Sequence, residues 1–189
     1  WTGKVSIGAD HFKLEKTIAA HENLTDFIAI DVLHGELATA LTQPNKIALS
    51  SSEALRLFGT ENAVGKTFLS VASNQTIEVS AVFADFSDNT HFAINSIVSA
   101  ERFKNIMGKV SYTYVKLSPG ADNKSVAEQT TEIFNRIWQD KSNTIRFDLQ
   151  PLLDIHLAPN HNVDMKVGGS AKTVIVSIAL SILLLLISS

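Results

Sequence analysis

Residues Val174 to Ile187 read VIVSIALSILLLLI, fourteen positions without a charge, broken only by Ser177 and Ser181. No other stretch restricts the fold so much, because a helix that is apolar on every side belongs either in the middle of a core or in a bilayer. A full crossing takes roughly 20 apolar residues, and a run of about 10 to 14 is more often a core helix or a signal segment. The size of the chain argues against a core helix, since in a domain of at most 189 residues a helix normally keeps one wet face. Serine is compatible with lipid, because its hydroxyl bonds back to a carbonyl one turn earlier. Residues 174–189 are therefore expected to be a membrane helix cut short at Ser189, with a buried core helix as the alternative. Residues 167–173, which include Gly168, Gly169 and Ser170, are expected to be a hinge, from which Lys172 snorkels to the headgroups. No basic, hydrophobic leader opens the chain at Trp1, and both ends are expected to be cuts within a longer protein.

Charge and composition narrow the function classes. The chain holds 16 basic and 19 acidic residues and a net charge of −3, the opposite of the basic face that nucleic acid requires, so no nucleic-acid partner is expected. With 45% hydrophobic and 19% charged residues, it can bury a core and does not have a disordered composition. The absence of cysteine removes disulfides, thiolate metal sites and cysteine nucleophiles together, and leaves the compartment open.

Along the rest of the chain, Phe12 to Ile18 alternates in part and is expected as a strand; Phe27 to Val32, FIAIDV, is a better one, being β-branched or aromatic and mostly apolar. Glu36 to Leu41 suits one helical turn, Gln43-Pro44-Asn45 a reverse turn, and Ile47 to Leu49 a short strand. Ser50 with Glu53 reads as a capping box ahead of a helix over Ser52 to Phe58, which Gly59 closes in the left-handed conformation. Thr67 to Val71 and Thr76 to Phe86 are expected as a hairpin about Ser73-Asn74, with Ile77, Val79, Ala81 and Phe83 on one face of the second strand. Phe92 to Ser99 returns as a strand and Ala100 to Met107 as a short helix. Val110 to Leu117 is strongly β-prone. A helix capped by Asp122 or Asn123 then runs to about Asp140, with Val126, Ile133, Phe134, Ile137 and Trp138 on one side and a Glu132–Arg136 pair on the other. Ile145, Phe147 and Leu149 alternate as a last strand. The sum is an α+β domain.

Gly59 to Thr67, GTENAVGKT, ends like a phosphate-binding loop. It holds five residues between its glycines where that loop needs four, and it follows a helix and enters a strand, the reverse of the P-loop order. A structural turn is the expectation. His11, His21, His34, His91, His156 and His161 show no metal spacing on a helix, and His156 and His161 lie five apart across Ala158-Pro159-Asn160, whereas zinc wants convergent, supported ligands. Asp85, Asp88 and Asp154 form no arguable acid pair, and no serine sits in a nucleophile elbow. No catalytic, cofactor-binding or metal-ligating residue is nominated, and no cofactor is expected.

The order of short motifs is more specific than any one of them. FIAIDVLHGELATALTQPNKIALSSSEALRLFGTENAVGKTF, from Phe27, combines a strand, a Gly35-Glu36 step, an Ala40-Leu41 pair, and a Pro44-Asn45 turn before a strand to Leu49. A helix ending Phe58-Gly59 and then Gly65-Lys66-Thr67 complete it. Val79 to Phe83, Asn89-Thr90-His91, Tyr114-Val115-Lys116-Leu117 and Pro151 to Leu157 follow in order. The series resembles the extracytoplasmic core domain of MacB-like, FtsX-type ABC transporter permeases over roughly Phe27 to Ser189. Ser87 stands where the family turn usually holds proline, and Trp1 to about Asp26 matches weakly.

The resemblance implies a two-lobed α+β domain. A porter-like βαβ lobe would come from residues 1–46 and 100–166, and a mainly-β, sabre-like lobe would be inserted at 47–99. The hinge at 167–173 and the start of a transmembrane helix at 174–189 would follow. The resemblance also implies a non-enzymatic permease subunit in the bacterial inner membrane, with this domain on the periplasmic side. Its partners would be a cytoplasmic ATP-binding cassette subunit, a second permease copy, the lipid bilayer and a periplasmic adaptor. ATP-driven closure in the cytoplasm would move the outer domain, for export or for mechanotransmission. A ligand-sensing extracytoplasmic domain of a receptor or histidine kinase is the alternative, and a soluble enzyme with a buried C-terminal helix is a third. Nothing in the residues selects a cargo.

Overall fold

The computed structural model describes residues 3–87, 90–103, 113–138 and 145–157, together with 175–178, 180–182 and 184. Two compact units, residues 1–112 and 113–189, divide the chain. The first is built on a mixed eight-stranded sheet of β1 (Gly3–Ile7), β2 (Asp10–Leu14), β3 (Thr17–Ala20), β4 (Val32–Gly35), β5 (Lys46–Ser50), β6 (Thr67–Ser70), β7 (Gln75–Phe83) and β8 (Ser96–Ser99). Helix α1 (Leu37–Thr42) joins β4 to β5, and α2 (Ser51–Phe58) follows β5 directly. The strand order is β2-β1-β6-β7-β5-β8-β3, with β4 paired to β7 beside that path. β5 runs parallel to β7 and β3 parallel to β8; the remaining pairs are antiparallel. The sheet therefore runs unbroken across the expected lobe boundary between Lys46 and Ile47.

The expected strand over Phe12 to Ile18 is two strands. Lys16 takes a left-handed φ of 53°, which breaks the ladder and sends β2 and β3 to opposite ends of the order. Laid flat, the seven strands of that path would hold β2 and β3 about 29 Å apart at ~4.8 Å per step. Leu14 and Thr17, three residues apart, are separated by at most about 11 Å. The sheet must curl until its two outer strands come within reach of each other, and Leu14 of β2 accordingly shares a core with Ile47 and Leu49 of β5 and Val98 of β8.

This curled face, closed by Ala54 and Leu57 of α2, is one of two apolar layers. The other lies on the opposite face, where Leu37, Ala40 and Leu41 of α1 pack on Ala48, Ala81, Phe83 and Ile97. Both faces of the central strands are thus buried where they cross the two layers, and Ile47 to Leu49 of β5 and Ala81 to Phe83 of β7 are continuous apolar runs.

β7 serves the two layers in turn, which corrects the expected alternation. Ile77 and Val79 enter the first core, but Ala81 and Phe83 enter the second, while Val82 rejoins the first. The pairing with β5 explains the switch: Ile47 opposes Val79 and Ala48 opposes Ala81, leaving Ser80 as an extra residue. A β-bulge of this kind shifts the side-chain phase by one.

The expected strand over Phe27 to Val32 begins only at Val32. A 3-10 turn over Glu22–Asp26 precedes it, and the Leu24 carbonyl takes the N–H groups of both Phe27 and Ile28 at 3.1 and 3.0 Å. Those donors are spent before a ladder can form. Phe92 to Ser99 likewise pairs only from Ser96. Ala100–Phe103 is a 3-10 turn, and residues 104–107 of the expected helix lie outside the described residues.

In the second unit, helix α3 (Asn123–Trp138) starts at an Asp122 cap, whose carboxylate accepts the Ser125 N–H at 2.9 Å. The strands expected at 110–117 and 145–149 carry no ladder in their described parts, 113–117 and 145–149. Side chains of α3 satisfy that backbone instead. The Asn135 amide donates to Ile145 O at 2.8 Å and accepts from Ile145 N at 3.1 Å, and Thr131 Oγ1 accepts from Phe147 N at 2.9 Å. Phe134 meets Phe147 edge-on at 5.1 Å. Much of the expected apolar face of α3 is open, with Ile133 and Ile137 at 48% and 72% exposure, and among the described residues no ion pair joins Glu132 to Arg136.

The described positions of the terminal apolar run, 175–178, 180–182 and 184, are helical and exposed. Ser181 Oγ donates to Ser177 O at 2.8 Å, the one-turn back-bond that makes serine tolerable in lipid. No helix among the described residues is long and apolar enough to cross a membrane.

Candidate functional site

The sequence motifs converge on Val79 and Ser80, where β7 changes neighbours. Up to Glu78 it pairs with β6, and from Ala81 with β4. At the junction, Val79 O accepts from Gly65 N at 2.8 Å, Val79 N donates to Lys66 O at 2.9 Å, and Ser80 O accepts from Glu36 N at 2.9 Å. Gly35 sits at φ 75°, and a Cβ there would run into Ser80 O and lie 2.9 Å from Val64 Cγ2. Glycine is required twice over, by the left-handed backbone and by the lack of room. The Gly35-Glu36 and Gly65-Lys66-Thr67 motifs are therefore two halves of one backbone junction.

That junction disposes of phosphate binding at Gly59 to Thr67. A phosphate cradle needs free backbone N–H groups, and here Gly65 N donates to Val79 O while Lys66 N donates to Ala63 O at 3.0 Å. The Lys66 ammonium lies 5.7 Å from the Phe58 ring centroid, and Phe58 stacks on Phe68 at 6.5 Å. Gly59, at φ 69°, closes α2 as expected.

A polar network holds the start of α2. Ser50 Oγ accepts from Glu53 N at 3.3 Å, but the capping box is only half made, because Ser50 N donates to Asn95 O and the Glu53 carboxylate turns to Arg56. Both bonds of that bidentate pair are 2.7 Å, and the Glu53 side chain is 4% exposed. The hydrogen bond to Glu53 raises the Arg56 pKa further. Arg56 also donates to Lys13 O at 2.9 Å and lies over Phe12 at 5.9 Å, tying α2 to β2. Asp85, just after β7, supplies a second cap by accepting Ser52 N at 3.1 Å and Ser52 Oγ at 2.6 Å. Sequence spacing could not have paired Ser52 with Asp85, 33 residues away.

The candidate histidines and acids do not converge. His11 and His34 are exposed on β2 and β4, His21 precedes the first 3-10 turn, and His91 is buried against Phe92. Asp154 is exposed, the His156 side chain is not among those described, and Asp88 and His161 lie outside the described residues. Among the described residues no three metal-ligating side chains gather. Arg102 is a cationic position that the sequence reading did not single out. It donates to Pro44 O at 2.8 Å and to Ser73 Oγ at 3.1 Å, and burial pushes its pKa down.

The chemistry on display is that of a precisely packed framework, and its motif order can be set against known proteins. The profile of the MacB-like periplasmic core domain matches residues 6–133, more than half of the chain. The chain belongs to the MacB-like periplasmic core domain family. That family consists of extracytoplasmic domains of ABC transporter permeases and is not a class of enzymes. The match reaches back through β2 and β3, where the motif series had seemed weak.

Solved structures share the MacB-like fold. A domain of a Porphyromonas gingivalis protein described as a permease superposes with a TM-score of 0.60 at 21% identity, covering 82% of this chain and 76% of that one. The periplasmic region of MacB from Actinobacillus actinomycetemcomitans gives 0.55 at 18%, covering 75% and 65%. The extracellular domain of the noncanonic ABC-type transporter YknZ from Gram-positive bacteria gives 0.57 at 17%, covering 75% and 73%. No curated protein matches the chain.

Proposed function

We propose that this chain is the outer domain of a permease subunit held in the bacterial inner membrane, which performs no catalysis itself. A cytoplasmic ATP-binding cassette subunit hydrolyses ATP, the membrane helices carry its closure across the bilayer, and the domain responds by moving relative to that of a second permease copy. The observation that carries the reading is membership of the MacB-like periplasmic core domain family over residues 6–133. The exposed, helical positions 175–178, 180–182 and 184 of the apolar run, with the Ser181 to Ser177 back-bond, support the entry of this segment into lipid. A lever needs stiffness, because a soft domain would absorb the displacement it is given; the Gly35–Ser80 junction and the doubly capped α2 supply it. The porter and sabre division at 47–99 belongs to the same proposal, with the requirement that both lobes share one sheet, in which β1, β3 and β4 of the first pair with β6, β8 and β7 of the second.

Residues 1–189 hold no cysteine, so once any cysteine elsewhere in the permease is replaced by serine a label in this domain is site-specific. A nitroxide on a single cysteine at exposed Glu61, in the full-length permease reconstituted with its ATPase subunit, reports the distance between two copies. Trapping the ATPase with ATP and vanadate is expected to shift that distance by several ångströms, and an unchanged distance in an ATPase-competent complex would overturn the reading.

A further inference from the structure

Between Thr17 and Asn45 the chain has no lysine or arginine and four carboxylates, Glu22, Asp26, Asp31 and Glu36, while the other 160 residues hold all 16 basic residues against 15 acidic ones. The whole excess of negative charge thus sits in one segment. From His21 to Glu36 every residue except Leu24, Ile28 and Ile30 is exposed, all four carboxylates among them. Three large apolar side chains in the same segment also meet solvent: Phe27 at 44%, Val32 at 37% and Leu33 at 43%. Among the described strands β4 pairs with β7 alone, and its register slips between Val32 and His34 so that Leu33 has no opposite residue. A bulge of this kind re-aims a side chain out of the ladder.

Charge decides what would cover this surface. A second copy docked face to face would set four carboxylates against four more, and an anionic bilayer would meet the same repulsion. A basic protein segment gains on both counts, neutralising the acids and covering the apolar side chains. We infer that residues 21–36 are a docking surface for a basic, apolar-patterned segment of another protein. Its lysines or arginines meet Glu22, Asp26, Asp31 and Glu36, and its apolar residues cover Phe27, Val32 and Leu33. The inference stands on exposure and charge and does not depend on the coupling role proposed above.

The test uses the complete chain and a fluorescein-labelled eight-residue peptide alternating lysine with leucine, beside the same peptide with glutamate in place of lysine. At low salt the lysine peptide is expected to bind at least about tenfold more tightly, to lose affinity as salt is added, and to protect the amides of residues 27–35 from hydrogen exchange. Combining Asp26→Asn with Asp31→Asn weakens it about fivefold. Leu33→Ser weakens it as well, and because these positions are exposed the variants keep their far-ultraviolet circular dichroism. Equal binding of the two peptides, indifference to Leu33→Ser, or protection elsewhere in the chain would overturn the inference. So would protection of this segment by phosphatidylglycerol vesicles, or self-association that the same substitutions abolish.

Discussion

Gly35 abuts the main-chain carbonyl of Ser80 with no space for a methyl group between them, and the neighbouring Glu36 N–H bonds that same carbonyl at 2.9 Å. Gly59 makes an informative comparison, because it too has positive φ, at 69°, but nothing lies within 4 Å of where its Cβ would be. Gly59→Ala therefore carries only the backbone strain, about 1 kcal/mol. Gly35→Ala adds a collision with main chain that cannot rotate away, and is expected to cost about 4 kcal/mol or to prevent folding. Urea unfolding of the two variants side by side checks this, and equal losses would show that β4 can shift away from β7.

The buried Glu53 carboxylate depends on Arg56, which is itself 44% exposed at the side chain. Removing the arginine leaves a buried charge without its bidentate partner. Allowing for solvent at the exposed guanidinium, Arg56→Met is expected to cost about 2 kcal/mol. Glu53→Leu together with Arg56→Met should recover most of that loss, since a well-packed apolar pair avoids the desolvation. A double-mutant cycle by thermal unfolding measures the coupling, which additive losses would rule out.

Glu15 on the β2–β3 connection titrates below the usual glutamate value, through its hydrogen bond from Lys13, the charge of Lys13, and more weakly the charges of Arg56 and Lys16. A depressed carboxyl pKa contributes stability above the unfolded value and loses it as pH falls through the folded one. The effect is therefore confined to the acid limb, below about pH 4.5. Carboxyl chemical shifts followed against pH should place Glu15 below the value of a free glutamate. Lys13→Met should raise it back, and high salt should shrink the gap because the pair is open to solvent.

Local chemistry made much of this fold legible. The capped α2, the Gly59 stop, the Ser73-Asn74 hairpin and the short α1 all follow from residues within a few positions of one another, where side chain and backbone settle matters without the rest of the chain. The motif order carried the family further than any single motif did. What stayed hidden depends on distant partners. The break at Lys16 follows from where β2 and β3 must go. The pairing of Ser52 with Asp85 spans the whole of β6 and β7. Ile145 has strand-forming character but no ladder, because an α3 side chain takes its backbone groups first. At the candidate site the sequence showed that Gly35, Gly65 and Lys66 recur in a pattern, but not that they meet at Ser80, because an extra residue in a strand leaves no local trace.

That extra residue yields the strongest expectation about β7. Ser80 brings little through its side chain, whose hydroxyl reaches Ile47 O only at 3.5 Å, so Ser80→Ala should change stability by no more than about 1 kcal/mol. Deleting Ser80 is a different matter. Without the extra residue β7 alternates regularly, so Val79, Ala81, Val82 and Phe83 keep the layers and the β5 partners they already have, but the carbonyl that accepts Glu36 N and abuts Gly35 is gone. The Glu36 N–H loses its partner at the junction, a cost of about 1 to 3 kcal/mol. The deletion variant is therefore expected to unfold cooperatively at a lower midpoint, with its amide resonances shifted around Gly35, Glu36 and Gly65, while Ser80→Ala leaves both nearly unchanged. A deletion variant that loses cooperative unfolding would mean that the two apolar layers depend on the bulge itself and not only on the phase of this strand.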